Sequence, residues 1–306
     1  MKAPSVSVVF AVYGSVDRTS ARAAILSALW QKKVAVEVIV VEAGDACPPG
    51  WLDIPEVNHV VFRTRARKRF RPGFVRNIGL LRATGERVYF SDADILFSHE
   101  HFFSRALALL DGAEGVLIHP PKLRVPIEQT PSVAAKFCAN RWPVLSTLAG
   151  EDQRFASMAG PIAYRETTHR GRIYTAREKD YEEWNANGRP RALGPMVWQD
   201  IFHPGGTLAL REAILKVGGY GHEFAIWGYE DADLQHKLAL IGSCRPFPRT
   251  EDFRVFHLDH PRGYIDPDAH LNNKAIYKRR CGMEQGKLMA ADRRALQRLQ
   301  HALGLH

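Results

Sequence analysis

Asp92 and Asp94 are the first pair of side chains whose type and spacing suggest chemistry. They lie two residues apart within the largely apolar stretch Phe90–Phe97. Carboxylates at the end of a buried strand are costly unless a cation or hydrogen-bond donors satisfy them. Mg²⁺ and Mn²⁺ bind carboxylate oxygens and often share them with substrate phosphates. The pair therefore predicts a divalent metal site, with a turn capped by aspartates as the alternative.

An acidic turn follows Trp227 and Gly228. It carries Glu230, Asp231 and Asp233, which fall in the first turn of a predicted helix. The helix dipole favours carboxylates there, so we expect them to be ionised at neutral pH and able to accept a proton from a hydroxyl group. Glu230 and Asp231 point about 100° apart on a helix, which predicts different roles. Trp227 and Gly228 offer a flat apolar face and close backbone approach, both suited to a sugar ring. The alternative is an ordinary acidic bias at a helix start.

His257 and His260 are spaced so that both imidazoles can reach one metal ion. A surface pair of this kind is often inert. Because Asp92 and Asp94 need further ligands to complete an octahedral shell, we predict that the histidines join them.

The elements that must position these groups alternate along the first hundred residues. Strand, helix and strand at this spacing predict right-handed βαβ units and a parallel sheet. Ligands bind outside the carboxyl ends of such strands, which directs attention to Tyr13, Glu42 and Asp92–Asp94. The predicted strands are Ser5–Val12, Val36–Val41, His59–Phe62, Arg87–Phe90 and Gly205–Leu210, and the predicted helices contain Ile25–Trp30, Phe74–Ala83, Arg211–Val217, Leu234–Leu238 and Met289–Leu303.

Length and composition exclude several classes of protein. The chain has 306 residues, of which 45% are hydrophobic and 25% charged, so it can bury a sizeable core and is neither disordered nor fibrous. No apolar run reaches the roughly 18 residues of a membrane span. Residues 1–4 lead directly into a strand, from which we expect no secretory leader. The four cysteines are far apart, which favours a reduced, cytoplasmic protein.

The net charge of +9 and the pI of about 9.5 predict an anionic partner. Nucleic acid, anionic lipid headgroups and phosphate-bearing small molecules all fit. The densest basic run is Arg63–Arg71, which is read as a solvated loop with part of it facing phosphate. The basic surface is also compatible with peripheral contact at the inner face of a membrane.

Several motifs together resemble a GT-A glycosyltransferase of the family 2 type, with a C-terminal half similar to the β-1,4-galactosyltransferase group. These motifs are Pro204–Leu210, Val217–Tyr220 and Trp227–Leu234, in the order and spacing of that group, and Arg71–Gly79 before the Asp-x-Asp pair. The resemblance covers residues 5–97 and 204–262. It implies a mostly parallel α/β sheet flanked by helices and leaves residues 98–203 and 264–306 unassigned. The basic, Ala- and Leu-bearing composition after Pro261 separately predicts a helical C-terminal tail.

The resemblance also implies roles for individual residues. Asp231 is implied as the catalytic base, and Glu230, Trp227 and Gly228 as acceptor contacts. Mn²⁺ or Mg²⁺ is the implied cofactor, held by Asp94, His260, His257 and Asp92. Asp92 is also expected near the ribose. Glu42 is implied as a uracil contact, with Asp45 as a competitor. The other implied contacts to the nucleotide sugar are Ala11, Tyr13, Arg71, Asn77, Ala93 and Gly206.

These roles imply an inverting transfer of a hexose or N-acetylhexosamine from a UDP-sugar to a hydroxyl group of a carbohydrate or glycoconjugate. One base opposite the departing diphosphate favours a single in-line displacement. We predict a catalytic domain over residues 1–263, with a nucleotide-binding half over 1–97 and an acceptor-binding half over 98–263. A basic helical tail over 264–306 follows.

Two other functions compete with this interpretation. A sugar-1-phosphate nucleotidyltransferase needs a glycine-rich phosphate loop, and Ala11–Ser15 contains a single glycine. A nucleic-acid-binding protein would use Arg63–Arg71, but this run has no aromatic interleaving beyond Phe62 and Phe70, and nucleic-acid binding would leave the acidic motifs unexplained. We therefore predict no nucleic-acid partner. The donor sugar and the acceptor stay open.

Overall fold

The computed structural model describes most of the chain. The described residues are 5–13, 16–44, 51–62, 71–110, 115–125, 127–145, 162–167, 173–177, 202–248, 250–260 and 267–305. Asp45 and the basic run 63–70 lie outside them, as do residues 1–4.

The described strands are short, and most follow the predicted order. They are β1 Val6–Tyr13, β2 Val36–Ala43, β3 Val57–Phe62, β4 Arg87–Asp92, β5 Ile95–Phe97, β6 Val116–Ile118, β7 Lys122–Val125, β8 Ile162–Thr167, β9 Ile173–Arg177, β10 Thr207–Leu210, β11 Cys244–Pro246 and β12 Val255–Leu258. Seven of them form the central sheet in the order β11-β6-β10-β4-β1-β2-β3. β1 pairs in parallel with β2 and β4, and β2 with β3, whereas β10 is antiparallel to both of its neighbours. The sheet is therefore mostly parallel, as predicted.

The helices cover both faces of this sheet. They are α1 Arg18–Leu29, α2 Pro72–Arg82, α3 Phe102–Leu109, α4 Thr130–Asn140, α5 Arg211–Lys216, α6 Glu230–Ala239, α7 Pro267–Cys281 and α8 Gln285–Ala302. Asp17 caps α1 by accepting a hydrogen bond from the Ser20 backbone N–H. Side chains of β1 alternate between the two cores: Val8 and Phe10 belong to one and Val9 to the other. Burial on both faces explains why β1 is almost entirely apolar.

A second, three-stranded sheet carries the acidic and imidazole motifs to one place. Its order is β5-β12-β7, and β12 runs antiparallel to β5, with His257 opposite Ile95. The Leu258 N–H donates to the Asp94 carbonyl at 2.8 Å. The turn after β4 and the segment after β12 are therefore held side by side, although more than 150 residues separate them in the chain.

The C-terminal tail is helical, as predicted, and it packs on the rest of the chain. Met289 and Leu296 of α8 join the core that contains α2 and α6. Asp292 of α8 and Arg280 of α7 are also buried. Of the helices that the structure describes, none has the length and apolar character of a membrane span.

Candidate active site

The carboxyl ends of the central strands form one edge of the sheet. The pairing register puts Ala11 of β1 beside Asp92 of β4 and Val12 beside Glu42 of β2. Thr207 of β10 lies opposite Phe90 of β4, so Gly206 reaches the same edge. The residues at the ends of these strands that the sequence predicts as contacts of the nucleotide sugar therefore lie along one edge of the sheet, as expected for parallel strands.

Asp94, His257 and His260 form a cluster with the geometry of a metal site. A ligand atom from each lies within 4.8 Å of the others, and within the described ranges no other such group of His, Cys, Asp or Glu is found. The Asp94 Oδ2 atom is 2.9 Å from Nε2 of His260 and 3.4 Å from Nε2 of His257. The other oxygen, Oδ1, is buried and has no hydrogen-bond partner among the residues that the structure describes. A buried, unsatisfied carboxylate oxygen beside two imidazoles fits a divalent cation.

The protonation states of this cluster also suit metal binding. Burial would raise the pKa of Asp94, but the two imidazoles hold it well below its usual range. Burial lowers the pKa of His257 more than Asp94 raises it, so this imidazole is neutral near pH 7. A metal ligand must be a neutral imidazole or an ionised carboxylate. The Asp259 Oδ1 atom lies 3.7 Å from Nδ1 of His257, where a carboxylate can orient the imidazole ring.

Asp92, the other half of the Asp-x-Asp pair, contacts a buried arginine instead of the two histidines. The Arg76 side chain is only 2% exposed, and its NH2 group donates to Asp92. Its NH1 group donates to Asp231 at 3.1 Å and to Glu230 at 3.3 Å. One guanidinium group of α2 therefore joins the carboxylate after β4 to both carboxylates at the start of α6. This contact brings two of the three sequence motifs together.

Burial, and not the helix dipole, decides the protonation of Glu230. Burial first and the charge of Asp231 second raise the pKa of Glu230 to about 8. The expectation that Glu230 is ionised at neutral pH is therefore wrong, because the desolvation cost exceeds the dipole contribution. Burial also raises the pKa of Asp231, and the charge of Arg76 opposes that increase. A raised pKa brings a carboxylate closer to the range in which it accepts protons efficiently.

Hydrogen bonds fix Asp231 through only one of its oxygens. Arg76 and the hydroxyl group of Tyr220 both donate to Oδ1, each at 3.1 Å. Oδ2 accepts no hydrogen bond from the described residues, and the side chain is 13% exposed. Tyr220 is itself held by Asn77, whose amide group pairs with the Tyr220 backbone N–H and carbonyl at 2.8 and 3.0 Å. Asn77, a predicted nucleotide-sugar contact, thus lies near the site and uses its amide group to position Tyr220.

Glu42 lies at the predicted strand end but is fully buried. It accepts a hydrogen bond from Trp51 at 2.6 Å, lies 3.1 Å from His59 and forms an ion pair with Arg18 at 2.7 Å. Its role as a uracil contact stays a prediction. The remaining predicted contacts are placed as follows: Arg71 is exposed directly before α2, Ala11 and Tyr13 are half-buried in β1, and Ala93 and Gly206 are buried.

Trp227 and Gly228, the predicted acceptor residues, lie in the loop before α6. The Gly228 N–H donates to Glu230 at 2.7 Å, which ties this loop to the acidic turn. Gly228 has a φ of +118°, a conformation that side chains rarely tolerate.

Arg76 and His203 are site residues that sequence reasoning missed. Arg76 could have been found from the sequence as a positively charged residue among the apolar residues of α2 that are buried, such as Val75 and Ile78. His203 is 2% exposed and lies 3.7 Å from Asp92. Burial lowers its pKa to about 4, so it is neutral at physiological pH. No local pattern marked it.

Comparisons with known proteins found one match to a family model. Residues 195–261 match the family model described as N-terminal domain of galactosyltransferase. No curated protein sequence matches the chain. The matched segment contains Asp231, Trp227 and both histidines of the metal cluster.

Two solved structures with bound nucleotide sugars are similar to this chain at low sequence identity. S. aureus TarS residues 1–349 in complex with UDP-GlcNAc is 14% identical, with a TM-score of 0.51, and the match covers 97% of this chain and 72% of that one. A mannosyltransferase from Pyrobaculum calidifontis in complex with GDP-Man and Mn²⁺ is 16% identical, with a TM-score of 0.46 and coverage of 98% and 75%. The match to TarS shows the fold, which is that of the GT-A glycosyltransferases, and the family match over residues 195–261 supports a glycosyltransferase.

Proposed function

We propose that this chain is a metal-dependent, inverting glycosyltransferase that moves a hexose or N-acetylhexosamine from a UDP-sugar to a hydroxyl group of a carbohydrate or glycoconjugate. The observation that carries the proposal is the convergence of Asp94, His257 and His260 next to an acidic turn joined to Asp92. A metal cluster and a candidate base at the same sheet edge provide both halves of a transfer from a nucleotide sugar.

The ligand set favours Mn²⁺ over Mg²⁺. Two imidazole nitrogens and a carboxylate suit a transition ion, whereas Mg²⁺ prefers oxygen ligands. When bound, such an ion neutralises the negative charge that develops on a departing diphosphate. Asp94 and the two histidines would hold it, and Asp92 is close enough in sequence to share it or to contact the ribose.

Asp231 is the proposed general base, through its Oδ2 atom. Arg76 and Tyr220 fix Oδ1, so Oδ2 is the oxygen that can approach an acceptor hydroxyl group. In the transfer, the hydroxyl oxygen attacks the anomeric carbon and its proton passes to Asp231. The bond from the anomeric carbon to the diphosphate oxygen breaks, and UDP leaves with the electron pair. A single displacement of this kind inverts the anomeric centre.

UDP is the proposed donor nucleotide for two reasons. The matched family model describes a galactosyltransferase, and the TarS structure with the same fold holds UDP-GlcNAc. Glu230, beside Asp231 at the start of α6, is proposed as a contact of the acceptor hydroxyl group, with Trp227 and Gly228. We also propose a cytoplasmic location, with peripheral membrane contact through the basic surface.

The proposal is tested by a screen of UDP-sugars and GDP-mannose for hydrolysis without acceptor. We expect Mn²⁺-dependent release of UDP from one class of UDP-sugar, abolished in Asp94→Asn. Asp53→Asn, which changes an exposed aspartate, is the matched control and keeps the activity. With an acceptor, NMR of the product from an α-linked donor is expected to show a β-glycoside. No hydrolysis of any UDP-sugar, or an α-glycoside product, would contradict the proposal.

A thermal-shift comparison separates this function from nucleic-acid binding. We expect UDP with Mn²⁺ to raise the melting temperature and UDP with EDTA to leave it unchanged. Stabilisation by an oligonucleotide alone would favour the nucleic-acid-binding function.

A further inference from the structure

The last two helices contact the acidic turn and the loop before it at several points. Asn273 of α7 is fully buried, and its Nδ2 atom donates to the Ala225 carbonyl at 2.7 Å. Its Oδ1 atom accepts from the Ala225 N–H at 3.4 Å. One side-chain amide therefore pairs with both backbone groups of a residue in the loop that leads to Trp227. This loop has no regular structure of its own to fix its path.

Arg280 of α7 makes a second contact, with α6. Its Nε and NH2 atoms donate to the two carboxylate oxygens of Asp233 at 2.6 and 2.9 Å, and its side chain is 1% exposed. Asp292 of α8 accepts from Arg280 as well and from Lys237 of α6, the latter at 2.6 Å. Two buried cations and two buried carboxylates thus balance, as buried charges require. We call Asn273, Arg280, Asp292, Asp233 and Lys237 the tail clamp.

Aromatic side chains extend the same contact to the predicted acceptor residues. His270 of α7 stacks on Trp227 with ring centroids 5.8 Å apart, and Tyr277 stacks on Tyr229 at 5.6 Å. A Cβ atom at Gly228 would lie 2.7 Å from Nδ1 of His270. We call the loop before α6 that carries Ala225, Trp227 and Gly228 the acceptor loop. Its backbone is in close contact with α7, and only glycine fits at position 228.

Two residues connect the tail clamp to Asp231, the candidate base: Asp233 and Tyr220. Asp233 lies in the same helical turn as Asp231. Gly221 packs on the ion pair between Arg280 and Asp233, because a Cβ atom at position 221 would lie 2.8 Å from Asp233 and 3.0 Å from Arg280. The residue before it is Tyr220, which donates to Asp231. The Tyr220 backbone is thus held by Asn77 on one side and by the tail clamp on the other.

From these contacts we infer that the C-terminal helices are a positioning element of the transferase: Asn273 and Arg280 hold the acceptor loop and the acidic turn so that Asp231 reaches the acceptor hydroxyl group. The inference rests on the proposed function. It assigns the tail, which the sequence left without a role, to the acceptor side of the reaction. The proposed metal ligands and nucleotide contacts lie at the carboxyl ends of the central strands, near the start of α2 and around β12, and none of them belongs to the tail clamp.

The chain provides matched pairs of variants for the test. Asn273→Ala and Arg280→Lys remove clamp contacts, and Arg280→Lys keeps the positive charge. Asn272→Ala and Arg279→Lys change the adjacent residues of the same types, which are exposed. For each full-length protein, calorimetry measures the fraction of chains that bind UDP with Mn²⁺, and steady-state kinetics with the best donor measure kcat per binding-competent chain and the donor KM.

We expect Asn273→Ala and Arg280→Lys to lower kcat at least about tenfold, with the donor KM and the UDP affinity within about twofold of wild type, because a displaced base loses its alignment. The controls are expected to match wild type. Unchanged kcat, loss of kcat in proportion to UDP binding, or failure of both variants to fold would overturn the inference, since each leaves α7 with no role beyond folding. Wild-type turnover is read separately: its absence contradicts the proposed function, whereas the ratio of variant to wild type tests the tail clamp alone.

Discussion

Replacement of Asp231 by asparagine separates catalysis from binding and from stability. In the native site, Arg76 and Tyr220 both donate to Oδ1, so an asparagine with its carbonyl oxygen in that place keeps both hydrogen bonds. Its amide nitrogen then occupies the position of Oδ2 and cannot accept a proton. The variant therefore loses the base and little else.

The expected loss follows from this geometry. A positioned general base contributes about 10²- to 10⁴-fold, which corresponds to about 3–5 kcal/mol of activation free energy. Stability is expected to move the other way. Asp92, Glu230 and Asp231 surround one guanidinium group, and burial raises the pKa of Asp231. Loss of its charge relieves that cost, so we expect the melting temperature of Asp231→Asn to equal or exceed that of wild type.

The assay measures UDP release from the best donor, the affinity for UDP with Mn²⁺, and the melting temperature. Glu212→Gln, which changes an exposed acid to its amide, is the control and is expected to match wild type in all three. Turnover at the wild-type level in Asp231→Asn would refute its role as base. A parallel loss of UDP affinity would show that Asp231 serves binding instead.

Three further predictions concern the buried charges. Below pH 4.5 the Glu230 carboxyl is protonated in both the folded and the unfolded chain, whereas between pH 4.5 and about pH 8 only the folded chain keeps the proton. The cost of Glu230 to the stability of the fold therefore grows with pH over this range. Glu230→Gln should raise the melting temperature more at pH 8 than at pH 5, and equal increases at the two pH values would contradict a raised pKa of Glu230. Burial would raise the pKa of Asp292, but His222, Lys237 and Arg280 hold it well below its usual range. The stability that Asp292 contributes is therefore full above about pH 4 and is lost only as the pH falls through the lowered pKa of the folded state. Asp292→Asn should destabilise by about 3–5 kcal/mol at pH 7 in urea titrations and by somewhat less at pH 3, with the large decrease only in stronger acid; a loss of the effect already at pH 5 would contradict the assignment. Arg76→Lys should lower turnover at least about tenfold, because an ammonium group cannot bridge three carboxylates with the geometry of a guanidinium; kinetics at wild-type level would contradict that bridge.

The sequence predicts the sheet and its rim well, because both depend on local signals. Apolar runs mark β1, β2 and β4, and the polar residues at their ends converge wherever parallel strands are aligned. The spacing of His257 and His260 likewise suggested a metal cluster, and the structure places both within reach of Asp94.

Features that depend on contacts distant in sequence could not be predicted. Arg76 meets Asp231 across 155 positions, and Arg280 meets Asp233 across 47. No local pattern indicates such a pair. The helix-dipole argument for Glu230 failed for a related reason: the dipole is visible in the sequence, whereas the complete burial that outweighs it is a property of the packed structure.

The central claim is that Asp94, His257 and His260 hold a divalent metal ion. Its most direct test is a titration of Mn²⁺ into the protein in the presence of UDP, in which the EPR signal measures the concentration of free Mn²⁺. We predict one tightly held Mn²⁺ per wild-type chain, displaced poorly by Mg²⁺, and an affinity at least about tenfold lower in His257→Ala and in His260→Ala. Wild-type affinity in both variants, or no bound Mn²⁺ in the wild-type protein, would contradict the account.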